Sequence, residues 1–279
     1  MPVNEENPLL LVSIYAQTKN TEWMTDPTGQ TVPKGVPAQG NLTVTGVWDM
    51  IPDDLKPHTA IQLHGDDFVG HGYGGNGDHD ALWAWYGYFV DQAEEYNRNE
   101  PDTSKHINLY LTLMTGGTPI SVLNRTVPDD ELTQFIAEHD CIKGVVLSEN
   151  HNNSDTVAVA EVSAKYLKMM AQQGCYLVLT DIDRPGANMM EKWFNDTDTL
   201  YNAAKKYHQY LIINSKSTTS SGFNTVRSFA LGAWLGGLAD NWGALTDAWT
   251  WYETGYHRIF SGINKVTYED VRRVYTFPE

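Results

Sequence analysis

Short apolar runs rich in β-branched residues alternate along this chain with longer amphipathic stretches, and that alternation predicts its elements. Strands are expected at "LLLVSIYA" (9–16), "TAIQLHG" (59–65), "INLYLTLM" (107–114), "KGVVLSE" (143–149), "CYLVLTDI" (175–182) and "YLIINS" (210–215). Between them, helical spacing covers about 81–97, 129–139, 155–173, 187–208 and 223–238. Asp155 stands where an N-cap belongs, and Gly174 where a helix stops. Strands that are apolar on both faces, each followed by a helix, imply a parallel sheet joined by right-handed crossovers. Six or seven such units, with no linker between them, point to a single α/β domain over residues 1–279, a (β/α)8 TIM-type barrel. A seventh strand fits near "LADNWGALTD" (238–247). The eighth has no clear counterpart. Either "GINKVTYEDVRRVYTFPE" (262–279) holds a short strand, or the barrel is incomplete at its C-terminal end and is closed by a second chain or further domains.

In a barrel of this kind the chemistry gathers at the C-terminal ends of the strands. Taken in order, those ends carry Tyr15; His64, Asp66 and Asp67; Thr115, Gly116 and Gly117; Glu149 and Asn150; Asp181 and Asp183; Asn214 and Lys216; then Asp240, Trp242, Asp247 and Trp251. Loops after strands are polar because they are solvated, so one polar residue there says little. Glu149 and Asn150 stand apart because they follow "VVLS" directly, with no turn residue between. Asp181 and Asp183 have an alternative as caps of the next helix ahead of Pro185, and His64 as a hydrogen-bonded core histidine. The run "WAWYGYF" (83–89) reads as a buried helix face rather than a sugar platform, and Asp78-His79-Asp80 fits no metal spacing. No "GxGxxG" follows the first strand and no "GxxxxGK" occurs. The glycine-rich "HGYGGNGDHD" (71–80) lacks the Lys and Ser/Thr of a phosphate loop, so a nucleotide-binding sheet is disfavoured.

Composition narrows the partners. Nineteen basic against thirty-five acidic residues give a formal charge of −16, with no basic cluster, which argues against nucleic acid and anionic membranes. Nine Trp and fifteen Tyr supply flat faces suited to stacking on sugar rings, although aromatics serve cores equally well. Cys141 and Cys175 each precede a strand, where buried reduced thiols are expected, and no metal spacing is present. No apolar stretch is long enough to span a membrane. The opening "MPVNEENP" has neither a basic nor an apolar leader region, as for a cytoplasmic protein or a secreted one written without its leader. Two separated carboxylates on a Trp-rich barrel mouth suit glycoside hydrolysis, one donating a proton and the other activating water or attacking carbon. Glu149 is one member of that pair.

Several segments, in order, resemble glycoside hydrolase family 98. They are "GVWDMIPDDLKPHTAIQL" (46–63), "LTLMTGGTPIS" (111–121), "GVVLSENHN" (144–152), "YLVLTDIDR" (176–184), "YLIINSKSTTSSGFNTVRSFALGAWLGGLADNWG" (210–243) and "TDAWTW" (246–251). The resemblance implies a secreted, inverting endo-glycosidase on a (β/α)8 barrel, acting on blood-group-type galactosides or on xylan. It implies that Glu149 is the general acid and that Asp247 helps to activate water. The family's further glutamate has its nearest counterpart in Glu269, across an interval that looks short, so the base is Asp247 alone, Asp247 with Glu269, or a residue outside this chain. His64, Asn150, Lys216, Trp242 and Trp251 would line the cleft. An inverting pair is expected roughly 6.5–9.5 Å apart, and that gap is the expectation for Glu149 and Asp247. No cofactor and no metal are required, since a proton and a positioned water suffice. Two alternatives remain: a carbohydrate-binding barrel without catalysis, and a metal-dependent hydrolase using His64, Asp66 and Asp181. The lack of a His-x-His pair after the first strand counts against the latter.

Overall fold

A computed structural model describes residues 3–4, 7–15, 23–25, 31–33, 43–65, 77–114, 118–150, 155–182, 189–217 and 225–246. Strand β1 (Leu10–Tyr15) is followed by a short antiparallel pair, β2 (Trp23–Thr25) and β3 (Thr31–Pro33), and by helix α1 (Val44–Asp49). Then come β4 (Thr59–His64), α2 (His79–Asn99), β5 (Leu109–Met114), α3 (Ile120–Thr126), α4 (Asp129–Glu138) and β6 (Ile142–Ser148). The remainder is α5 (Thr156–Gln173), β7 (Tyr176–Ile182), α6 (Met189–Asn195), α7 (Asp198–Tyr207), β8 (Leu211–Ser217), α8 (Thr225–Leu235) and β9 (Asn241–Thr246).

Seven strands form one parallel sheet in the order β1-β4-β5-β6-β7-β8-β9, so each long strand pairs with the next along the chain. This is the curled sheet of a (β/α)8 barrel, seen through its seventh parallel strand. The stretch in which an eighth was sought lies outside the described residues. Odd and even positions separate the two faces. Leu109, Leu111, Val145, Leu147, Leu177, Leu179, Leu211 and Ile213 belong to the large cluster shared with the helices. Trp85 and Phe89 of α2, Tyr166 of α5 and Trp193 of α6 are fully buried in that cluster. Each such side chain stabilises the fold by about 1.5–3 kcal/mol through area removed from water. Ala60, Tyr110, Val146, Val178 and Ile212 turn the other way and pack together inside the curl.

Local signals hold at the helix ends. The Asp155 carboxylate accepts the Ala158 N–H at 2.9 Å, capping α5. Gly174 closes that helix in the left-handed region (φ 68°), with the Cys175 N–H reaching the Met170 carbonyl at 2.9 Å. The run at 83–89 is a largely buried helix face, as its pattern implies. Other features depart from the pattern, among them the short pair β2–β3, which has no counterpart in the expected strands. Helices α1 and α3 were not expected, because six or seven residues give under two turns of periodicity. The expected helix at 187–208 is two helices, broken at Thr197, whose hydroxyl caps α7 by accepting from the Thr199 N–H.

Candidate active site

The interior of the curl is layered. Above the apolar floor the same strand faces carry polar side chains: Gln62, Thr112, Ser148, Thr180 and Asn214. Four of these groups bond in pairs. The Gln62 amide donates to the Thr112 hydroxyl at 2.9 Å, and the Asn214 amide to the Thr180 hydroxyl at 3.5 Å. Gly243 of β9 is needed beside them, because a Cβ there would lie 2.9 Å from the Asn214 amide oxygen. One residue pair further along, His64 and Lys216 point into the mouth, both buried.

Glu149 reaches this mouth by breaking the alternation. Val145 and Leu147 face the helices, so a continued strand would send residue 149 to the helix side as well. Instead Glu149 takes φ 52°, the one positive φ on a non-glycine side chain among the described residues. Such backbone is held only where its surroundings over-determine it. Two contacts help to do so. The Glu149 N–H donates to the Thr180 carbonyl at 3.1 Å, keeping the chain beside β7. The Lys216 ammonium donates to Glu149 Oε1 in an ion pair whose side chains are 8% and 17% exposed. Withdrawn from water, that pair is stronger than a surface one, and removing one partner strands the other.

The remaining expected residues divide. Asn150 follows Glu149 at 1% exposure, and neither end of its amide has a hydrogen-bond partner among the described residues. A buried amide left so is suited to a ligand's hydroxyls. Trp242 is not brought to the mouth. Register pairs it with Ile213, a helix-facing residue, and it is 40% exposed on β9. Asp181 alternates with Leu177 and Leu179, so it is buried on the helix-facing side instead of joining a ring at the mouth. Asp247, Trp251 and Glu269 lie outside the described residues, as do Asp66, Asp67, Thr115, Gly116, Gly117 and Asp183. Thr180, Thr112 and Gln62 were not anticipated. Their signal is the polar residue inside "IQLH", "LTLM" and "LTDI", which a strict two-residue period assigns to the interior.

Among the described residues no group of three or more His, Cys, Asp or Glu side chains could hold a metal. Asp78 caps α2 by accepting from the Ala81 N–H. His79 joins α2 to α4, meeting Asp80 at 2.8 Å and Glu131 at 2.6 Å, and these carboxylates raise its pKa. Cys141 and Cys175 are buried free thiols, and burial pushes Cys141 up to about 12. No described helix is long and apolar enough to cross a membrane. Among the described residues the mouth offers a carboxylate beside a cation, with uncharged hydrogen-bonding groups around them.

Known proteins are similar to this chain in sequence and fold. The chain is 30% identical over 284 residues to a blood-group-substance endo-1,4-beta-galactosidase of Clostridium perfringens, covering 99% of this chain and 33% of that one. It thus spans about a third of the relative's length. The catalytic module of a family 98 glycoside hydrolase from Streptococcus pneumoniae TIGR4, in its native form, superposes with a TM-score of 0.68 at 29% identity. That match covers 90% of this chain and 39% of the other. The same module in complex with the H-disaccharide blood group antigen gives 0.68 at 28% identity, and with the LewisY pentasaccharide 0.66 at 27%, over the same shares. The model of the family described as glycosyl hydrolase family 98 matches residues 1–279, the whole chain, and the chain belongs to that family.

Proposed function

We propose that this chain is the barrel portion of an endo-acting, inverting glycosidase that cleaves an internal bond of a blood-group-type galactoside. The observation that carries the reading is Glu149: a carboxylate swung into a buried mouth by left-handed backbone, where a core residue would have no cause to be. The names of the relatives favour a galactoside over xylan. In this reading Glu149, protonated, gives its proton to the glycosidic oxygen as the bond to the anomeric carbon breaks. Asp247, with or without Glu269, takes a proton from the water that attacks the opposite face, inverting the centre. Asn150 hydrogen-bonds sugar hydroxyls, while His64 and Trp251 border the cleft. The protein acts outside the cell or at its surface, where such glycans are found.

The test is hydrolysis of blood-group-type oligosaccharides and branched xylans by the native protein and by Glu149→Gln, with NMR of the anomeric product. Inverted product from the galactosides, and a loss of roughly 10²–10⁴-fold in kcat for Glu149→Gln, is the expected result. Retained configuration refutes inversion. Glycan binding by both proteins with cleavage by neither would make the chain a carbohydrate-binding barrel instead.

A further inference from the structure

We propose that Lys216 is a positioning residue for Glu149: its ammonium holds the carboxylate at the mouth and balances the negative charge left there once the proton is given up. The proposal rests on Glu149 being the general acid. Lys216 is buried on the inner face of β8, where an unpaired ammonium would be strongly unfavourable. Its ion pair spans 67 residues of sequence and fastens the carboxylate arm at the point where the β6 backbone leaves the strand conformation. In the reaction the O–H bond of Glu149 breaks, a new O–H bond forms on the leaving oxygen, and that oxygen keeps the electron pair of the broken C–O bond. Glu149 ends as a carboxylate, the species an adjacent ammonium stabilises. Its 17% exposure gives solvent a route to return the proton.

On the inner faces of β5, β7 and β9 the described residues beside the pair are uncharged. Asp181 of β7 faces the helices, and His64 stands on β4 with β5 between it and β6. Lys216 is the cation seen in direct contact with the Glu149 carboxylate. It makes Glu149 a stronger acid and a scarcer one, so activity falls at a lower pH than an isolated glutamate would allow.

The pH dependence of kcat/KM on a blood-group-type galactoside tests this with the native protein, Lys216→Met and Lys216→Arg. The basic limb reports loss of the proton from the acid. In Lys216→Met it should move up by roughly 1–3 pH units, with kcat reduced, while Lys216→Arg keeps the limb near its native position. An unmoved limb with only KM raised overturns the proposal and makes Lys216 a substrate contact. Glu149→Gln separates the two ideas. If it stays active, the general-acid assignment fails; if it is inactive while the Lys216→Met limb is unmoved, only the role of Lys216 fails. Should Lys216→Met not fold, ¹³C NMR of the native protein decides. The carboxyl signal missing from Glu149→Gln should titrate below the ordinary glutamate value of about 4.3, and a midpoint at or above it overturns the proposal.

Discussion

The substitution Gly65→Ala measures how tightly the mouth is braced from behind. Gly65 follows His64 at the end of β4, where α2 crosses the strand. A Cβ at this position would lie 2.6 Å from Leu82 Cδ1 and 2.7 Å from the Tyr86 hydroxyl oxygen, well inside contact distance. Both side chains are fully buried, and the Tyr86 hydroxyl donates to the Thr112 carbonyl at 2.6 Å. The ring cannot withdraw without giving up that bond. Overpacking of this kind costs about 1–3 kcal/mol, and the lost hydrogen bond about 1 more. For a chain of 279 residues the urea m-value is on the order of 3 kcal/mol per M, so the midpoint should fall by roughly 1 M. Gly87→Ala, in the same helix, is the control. Its added methyl meets nothing within 4 Å, and alanine favours the helix by roughly 0.5–1 kcal/mol, so the midpoint should rise slightly. Urea unfolding of the three proteins, followed by tryptophan fluorescence, gives the comparison. If Gly65→Ala unfolds at the native midpoint, β4 and α2 are not in close contact and the bracing is refuted.

Asp155→Ala removes the cap of α5 and should lower stability by about 1 kcal/mol, read as a drop in the same urea midpoint; Asp155→Asn should restore most of it. The tie between His79 and its carboxylates has a pH signature. Because the folded pKa of His79 is raised above 6.5, its stabilising contribution is complete below pH 6.5 and is lost as pH climbs through the folded value. The difference in midpoint between the native protein and His79→Gln should therefore shrink as pH rises above 6.5. A constant difference would mean that the imidazole acts through packing alone.

What the sequence disclosed follows from how far each signal travels. The runs "TAIQLH", "IKGVVLS" and "YLVLTDI" reveal strands because burial on both faces needs unbroken apolar residues, which a short window displays. Asp155 and Gly174 are legible for the same reason, their partners lying within a turn. Placement on a face was harder. Asp181 sits at the C-terminal end of its strand as expected, yet it is one residue out of phase with the interior, and a shift of one reverses the side chain. Trp242 misses the mouth in a second way, since it stands near the start of β9 and not at its end. Glu149 shows the opposite case: out of phase by count, it is carried inward by a backbone turn that no neighbouring residue type announces. Its bond to Lys216 joins strands two apart in the sheet, and such a pairing is visible only once β7 is set between them.

The strictly sequential order of the sheet bears on how the molecule is made. Among the described long strands each neighbour is also the next to leave the ribosome, so pairing need not await a distant partner. A β–helix unit can dock on the edge left by its predecessor while the following one is still being synthesised. The growing edge is then exposed for only about the interval of one unit, and helices arriving between strands cover its outer face in turn. Each pairing spans only one crossover, so the loops to be closed are shorter than in a parallel sheet whose neighbours are not consecutive. Birth order and spatial order are the same list.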